Sequence, residues 1–302
     1  MIINDLIDYS KNNNIKLEFD YNLKNLNWFN IGGNTKIFFK PNSLDELSSF
    51  LKIYNQRGKI CVLGAGSNVL VSDKTFEGVI IKFGKRFKNI SKHEKDKLIA
   101  GSAVTDRQLS EYAKENELSG FEFLSCIPGT IGGGIRMNAG CYDSEFKDIL
   151  ISVQAIDFLG NIQTILKKNI KFSYRNSNLP NNLIFLSATF RGMPSSKEKI
   201  ANKIDMLKAK KEKTQPSRIK TGGSTFKNPL QYTNKKVWYL IKNSVSSDIS
   251  FGDASISNHH SNFFVNKGNA KFDDMMKLIN YVKHNVKQKY KINIELEIIV
   301  ID

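Results

Sequence analysis

The segment Ile127-Pro128-Gly129-Thr130-Ile131-Gly132-Gly133-Gly134-Ile135-Arg136-Met137-Asn138-Ala139-Gly140 constrains the fold of this chain more than any other. Its five glycines would severely weaken a helix or a strand, so something must require close approach to the backbone. A bound cofactor is one such requirement and packing against a second backbone is another; the segment alone fits both. A second run of small residues, Gly64-Ala65-Gly66-Ser67-Asn68, lies between two apolar stretches read as strands, where bare N–H groups can approach a phosphate. Taken by itself it is equally a tight, hairpin-like turn. It lacks the third glycine and the crossover helix of a Rossmann unit, and neither Gly58-Lys59 nor Gly84-Lys85 runs on into the Ser or Thr of a P-loop. Two separated glycine loops in one chain fit a large anionic cofactor, its diphosphate and its ring contacted by different parts of the protein.

At 302 residues the chain has room for about two domains. No stretch reaches the roughly 18 uncharged apolar residues of a membrane span, and the N-terminus has no basic region leading into an apolar one, so a cytoplasmic protein is expected. Cys61, Cys126 and Cys141 are odd in number and far apart in sequence, which reads as buried thiols. The four histidines show no metal spacing, and no metal is expected. The net charge is +16, but only seven of the 45 basic residues are arginine and lysine recurs along the whole chain. That is a solvated surface rather than a nucleic-acid stripe, and its field concentrates anionic small molecules.

The periodicities divide the chain into three units, 1–83, 84–193 and 194–302. The first has a helix over 2–9, a strand over 36–40, a helix capped by Ser43 and Glu46 and stopped at Gly58, and a strand over 79–83. The second opens with a helix from Thr105 to about Asn116 and continues in strands over 150–157, 161–166 and 183–190. A helix from Ser195, with Ile200, Ile204 and Leu207 on one face, leads into the third. There, helices are expected over 235–242 and 272–286, the latter burying Met276, Ile279 and Val282, with a strand over 262–266 between them. A last strand alternates Ile292, Ile294, Leu296, Ile298 and Val300 on one face. Glu295 and Glu297 share its other face with Ile299 and Ile301, so Glu297 stands where exposure gives way to burial, a setting that raises a carboxyl's pKa.

Read in order, Asn27-Trp28-Phe29-Asn30-Ile31-Gly32-Gly33, Leu63 to Asn68, Ile127 to Gly140, Tyr174-Arg175-x-Ser177, Gln215-Pro216, Gly223-Ser224-x-Phe226-Lys227-Asn228-Pro229, Ser257-x-x-His260-x-Asn262-Phe263 and Glu295-x-Glu297 resemble the UDP-N-acetylenolpyruvoylglucosamine reductase family. The resemblance runs from about Asn27 to the C-terminus. It implies an α+β fold: a two-subdomain, PCMH-type module holding FAD non-covalently, followed by an α/β substrate-binding domain. The flavin cradle it implies is Gly64, Gly66, Ser67 and Asn68 with Pro128, Gly129, Thr130, Gly132, Gly133, Asn138, Ala139 and Gly140. The implied catalytic residues are Arg175 for the substrate carboxylate, Ser224 as proton donor and Glu297 to polarise the same group. Tyr174, Lys227 and Asn228 would meet the UDP-sugar, with NADPH as reductant and the chain a monomer. Asn30, Gly134 and Asp302 depart from the family's usual basic residue, alanine and glycine. The connection from Tyr174 to Leu183 is short, as in the subclass without a tyrosine-bearing substrate loop. Two other readings stand beside this one: an alcohol or sugar oxidase sharing the flavin fold, and a lysine-driven nucleic-acid binder.

Overall fold

A computed structural model describes residues 2–12, 15–216 and 219–302. They form two compact units: one runs to Phe19 and resumes over Ile37–Ala65 and Glu77–Lys211, and the other comprises Asp20–Lys36, Gly66–Phe76 and Glu212–Asp302. Among the described residues no helix is long and apolar enough to cross a membrane.

The first unit has two cores. In one, the helix Leu44–Tyr54 buries Leu47, Phe50, Leu51 and Tyr54, with Phe39 and Phe50 in ring contact. The Ser43 hydroxyl accepts from the Glu46 N–H at 3.1 Å and starts the helix as expected. Its stop is Asn55 and not Gly58: Asn55 takes the left-handed conformation (φ 44°) and returns its N–H to Leu51 O. Asparagine tolerates that region well enough to replace a glycine there. The strand Lys59–Val62 runs parallel to Phe76–Ile81, from Lys59 opposite Gly78 to Val62 opposite Ile81.

The other core gathers under a five-stranded sheet in the order Ile162–Leu166, Leu150–Asp157, Leu183–Arg191, Lys97–Gly101, Ile90–His93, with every pair antiparallel. The helix Asp106–Glu115 opens on a full capping box between Thr105 and Gln108 and ends at Asn116, as the sequence predicts. The glycine segment departs from expectation, because Ile131–Met137 is a short helix. Packing explains why glycine persists in it. A Cβ on Gly134 would lie 2.2 Å from Phe146 Cε2, and one on Gly132 would lie 3.1 Å from Ser102 Cβ. Phe146 is fully buried and fills the space that an alanine methyl would need. Gly134→Ala should therefore destabilise this chain by about 1–3 kcal/mol, the cost of overpacking, despite alanine's better helix propensity. In thermal unfolding, Gly134→Ala combined with Phe146→Leu should lose less than the two single losses added.

The second unit is built on the helix Phe272–Tyr290, which buries Met275, Leu278, Ile279, Val282 and Val286. The expected Met276 is only partly buried; Met275 takes the core position. The antiparallel strands Ser250–Phe251, Ala254–Ile256 and Phe264–Asn266 pack on the same core. The C-terminal strand is shorter than its alternation suggests. Only Ile299–Ile301 is strand, parallel to Val69–Val71. Before it, the chain pairs instead with Thr225–Lys227: the Lys227 N–H reaches Glu295 O and the Glu297 N–H reaches Thr225 O, both at 2.9 Å. The change of partner at Glu297 bends the backbone and breaks the alternation. Ile294 and Ile298 are buried and Ile301 is too, but Ile299 is 48% exposed, so Glu295, Glu297, Ile299 and Ile301 do not form one continuous face.

Candidate active site

In the first unit the two glycine segments touch. A Cβ on Gly64 would sit 2.5 Å from Thr130 Oγ1, so the buried Thr130 side chain occupies the space Gly64 leaves. Lys82, which the sequence reading passed over, donates its ammonium to Gly64 O at 2.5 Å. Burial, followed by the neighbouring charges of Lys88 and Lys40, lowers its pKa. Its cationic character was hidden among the other lysines; only its place directly after the strand Phe76–Ile81 sets it apart.

Arg175 has a left-handed backbone, φ 56°, a conformation that costs a branched-chain or long side chain about 1–3 kcal/mol and needs outside support. That support is visible. Ser173 and Asn176 exchange N–H to carbonyl bonds around it, and Asn138, fully buried at a left-handed helix end, donates its Nδ2 to Ser173 O at 3.1 Å and to Glu145 Oε2 at 3.0 Å. The Arg175 Nη2 donates to Gly140 O at 2.9 Å, and the guanidinium lies 4.9 Å from the Tyr174 ring centroid. Asn138, Gly140, Tyr174 and Arg175 thus belong to one local arrangement. Ser177 closes it, bonding its hydroxyl to Arg136 O at 3.1 Å.

Asp106, the first residue of the helix that follows Thr105, is a second residue the sequence does not single out. Its side chain is fully buried behind Gly129, whose Cβ would fall 2.5 Å from Oδ2, and among the described residues neither carboxyl oxygen has a hydrogen-bond partner. Loss of hydration pushes its pKa well above the ordinary carboxylate range. The unfolded carboxyl ionises near its ordinary value of about 3.9, so above that pH folding must take up a proton and stability falls as pH rises. Asp106→Asn cannot ionise. It should raise the melting temperature relative to the parent at pH 8, and by less at pH 5.

In the second unit Asn68, Ser224 and Glu297 share one hydrogen-bonded scaffold. Asn68 Nδ2 donates to Glu297 O at 3.0 Å, and Asn68 O accepts from the Ile299 N–H at 2.9 Å. Ser224 is half-buried and bridged to Phe263. The buried Asn262 clamps the residues after it, accepting from the Phe226 N–H at 3.0 Å and donating to Phe226 O at 2.9 Å. His260 Nδ1 accepts from the Asn262 N–H at 3.2 Å, and burial lowers its pKa, so it serves this loop as a neutral acceptor. Lys227 Nζ stands 3.8 Å from Glu295 Oε2 on the same pairing. Asn228 Oδ1 accepts from the Val237 N–H at 3.0 Å and caps the helix Val237–Lys242. A cavity of about 380 Å³ also lies in this unit, lined by Lys213, Trp238, Lys242 and His260; none of Ser224, Lys227, Asn228 or Glu297 lines it.

Residues 35–166 match the FAD binding domain family, and residues 215–301 match the C-terminal domain of UDP-N-acetylenolpyruvoylglucosamine reductase. The curated UDP-N-acetylenolpyruvoylglucosamine reductase of Pelagibacter ubique is 55% identical to this chain over 298 residues, 99% of each. This chain belongs to the UDP-N-acetylenolpyruvoylglucosamine reductase family. The reductase of Rickettsia canadensis is 44% identical over 279 residues, covering 92% of this chain and 93% of its own. The crystal structure of the reductase from Thermus caldophilus superposes with a TM-score of 0.81 at 27% identity, over 95% of this chain and 99% of that one. The fold is therefore the family's, an FAD-binding module followed by the reductase C-terminal domain.

The residues present fit FAD. Among the described residues of the first unit, the backbone N–H groups of Gly64, Ala65, Gly129 and Thr130 donate no hydrogen bond to a backbone carbonyl. A Cβ on Gly133 would meet only Thr130 Oγ1, at 3.7 Å, which leaves bare backbone open to a ligand. Unpaired N–H groups with a lysine beside them are the donor set a diphosphate requires.

Proposed function

We propose that this chain is an NADPH-dependent FAD enzyme that reduces the enolpyruvyl group of UDP-N-acetylglucosamine enolpyruvate to the lactyl ether. The product is UDP-N-acetylmuramate, for peptidoglycan synthesis and so for cell-wall growth, shape and division. The observation that carries this reading is identity of 55% over 99% of the chain and 99% of the relative. When bound, FAD supplies the two-electron chemistry that links NADPH to the substrate double bond. The residues we assign to hold it are Gly64, Gly66, Ser67, Asn68, Pro128, Gly129, Thr130, Gly132, Gly133, Ala139 and Gly140, with Lys82 added, while Asn138, fully buried with its amide engaged within the protein, braces the turn that carries Arg175.

Arg175 holds the substrate carboxylate with its planar fork and offsets the negative charge that develops on it. The strained, externally braced backbone at Arg175 supports that role, since such strain persists where surrounding structure fixes a group for function. Glu297 polarises the same carboxylate, which requires it to be protonated or tightly paired there. Ser224 keeps a proton on its hydroxyl and gives it to the carbon that gains negative character. A hydroxyl is a weak acid, but an enolate carbon is a strong base, and placement makes up the difference. Tyr174, Lys227 and Asn228 contact the UDP-sugar. Residues 1–83 and 84–193 serve the flavin and 194–302 the substrate, and the enzyme works as a cytoplasmic monomer.

Purified protein should be yellow, release its flavin on denaturation, and consume NADPH only when the enolpyruvyl UDP-sugar is present. A colourless protein whose absorbance and melting temperature ignore added FAD would refute the reading. Covalently retained flavin with turnover of an alcohol or sugar would point instead to the oxidase. Steeply salt-dependent binding to arbitrary duplex would be the mark of a nucleic-acid binder.

A further inference from the structure

Cys126 and Cys141 flank the Ile127–Gly140 segment in sequence, and the first unit brings them together. Cys126 ends the 3-10 helix Glu122–Cys126, and Cys141 ends the two-residue strand Gly140–Cys141. The Cys141 thiol donates to Phe123 O at 3.4 Å. In a 3-10 helix residues i and i+3 stand one above the other, so a sulfur on the Phe123 carbonyl lies beside Cys126. The two thiols also act on each other's protonation, Cys126 being shifted down and Cys141 up. Around them, Lys211 Nζ donates to Cys126 O at 2.8 Å and Ser125 Oγ lies 3.7 Å from Cys126 Sγ. The third cysteine, Cys61, sits apart in the strand Lys59–Val62. Far apart in sequence, two of the three thiols are thus a pair in the fold, and all three are free.

We propose that Cys126 and Cys141 are an oxidisable dithiol, a modification site at the two ends of the glycine segment, which hydrogen peroxide converts to a disulfide. The Cys126 sulfur attacks one peroxide oxygen; the O–O bond breaks, hydroxide leaves and takes up a proton, and Cys126 becomes a sulfenic acid. The Cys141 sulfur then attacks Cys126, the S–O bond breaks, and the departing hydroxide leaves as water with the Cys141 proton. Two thiols lose two electrons and two protons, and one peroxide becomes two waters. The electrostatics divide the roles. The Cys141 thiol, then Ser125 and the charges of Lys211 and Lys208, hold the Cys126 thiol below its ordinary range. The Cys126 sulfur and burial hold Cys141 above it. Cys126 is therefore the attacking thiolate and Cys141 the resolving thiol. Burial pushes Cys61 up to about 11, which makes it an internal control. Arg175 Nη2 binds the carbonyl of Gly140, so the cross-link would fix the residue next to the one that holds Arg175.

The test uses FAD-loaded protein exposed to a few equivalents of hydrogen peroxide, then denatured and blocked with N-ethylmaleimide. It should carry one maleimide, on Cys61, instead of three, weigh two maleimides and two hydrogens less than untreated protein blocked in the same way, and yield one linked peptide pair containing Cys126 and Cys141. Dithiothreitol should restore all three thiols. In Cys141→Ser, dimedone should trap a sulfenic acid on Cys126, formed about ten times faster or more than any product on Cys61. Three maleimides after peroxide, a linkage that includes Cys61, or equal loss of all three thiols would overturn the proposal. The measurement on the parent protein stands even where a variant folds poorly.

Discussion

Replacing Ser224 by alanine leaves reduction of the flavin by NADPH within about two-fold of the parent, while reoxidation by the enolpyruvyl substrate slows by about a thousand-fold, the usual worth of a placed proton donor. The asymmetry follows from where a proton is needed: nicotinamide gives up a hydride without one, whereas the substrate carbon ends the reaction protonated. The scaffold should survive the change. The residues around Ser224 are fixed by main-chain bonds and by Asn262, which clamps Phe226 through both its amide atoms. Removing the Ser224 hydroxyl leaves those bonds in place, so the melting temperature should move by no more than a degree or two, as for a substitution outside the core. Anaerobic stopped-flow measurement of the two half-reactions separates them. Equal slowing of both would assign Ser224 a structural role, and an unchanged second half-reaction would remove it from the mechanism.

What was legible in the sequence was whatever local chemistry decides. The capping box at Thr105 and Gln108 and the buried stripe Ile200, Ile204, Leu207 are set by neighbours within one turn, and both appear as read. What was not legible depended on distant partners. The alternation from Ile292 to Val300 is genuine, but a strand also needs one continuous edge to pair with, and here the chain pairs first with Thr225–Lys227 and then with Val69–Val71. The helix Ile131–Met137 keeps its glycines against helix propensity partly through packing, since Phe146, from the next helix, occupies the space a side chain at Gly134 would take. Propensity is a weak prior beside such contacts.

The same division holds for the candidate site. Glycine, Arg175, Ser224 and Glu297 stand out because their residue types suit the chemistry and their motifs recur in order. Lys82 and Asp106 do not, since one lysine among many and one aspartate at a helix start carry no signal until burial is known. Asn138 shows the reverse. Its sequence role was flavin contact, yet both its amide atoms are engaged within the protein, with Oδ1 accepting from the Lys147 N–H at 3.0 Å. Its clearest task is to brace the turn that carries Arg175.

Two glycines in these segments should answer a methyl group in opposite ways. Gly66 is buried with φ 70°, and a Cβ there would lie 2.1 Å from Leu26 O and 2.8 Å from Asn27 Cα. Those atoms cannot give way easily. Gly66 O accepts from the Trp28 N–H at 2.9 Å, and the buried Asn27 ties the same stretch down by donating to Leu23 O at 3.1 Å and Ile31 O at 2.8 Å. Left-handed strain of about 1–3 kcal/mol and overpacking of a similar size should combine, so Gly66→Ala should lose several degrees of melting temperature with or without FAD. Gly133 lies in a helix and its Cβ would meet only Thr130 Oγ1, in ordinary contact at 3.7 Å, so Gly133→Ala should hold or slightly raise the stability of the flavin-free protein. If bare backbone there exists for the cofactor, the same change should weaken FAD binding by about ten-fold or more, the loss of one close polar contact. Flavin titration followed by fluorescence, beside melting curves of the flavin-free variants, reads both quantities. A Gly133→Ala protein that binds FAD as the parent does would take that glycine out of the cradle, and a Gly66→Ala protein of unchanged stability would show that the Leu26–Asn27 stretch yields where the hydrogen bonds say it should not.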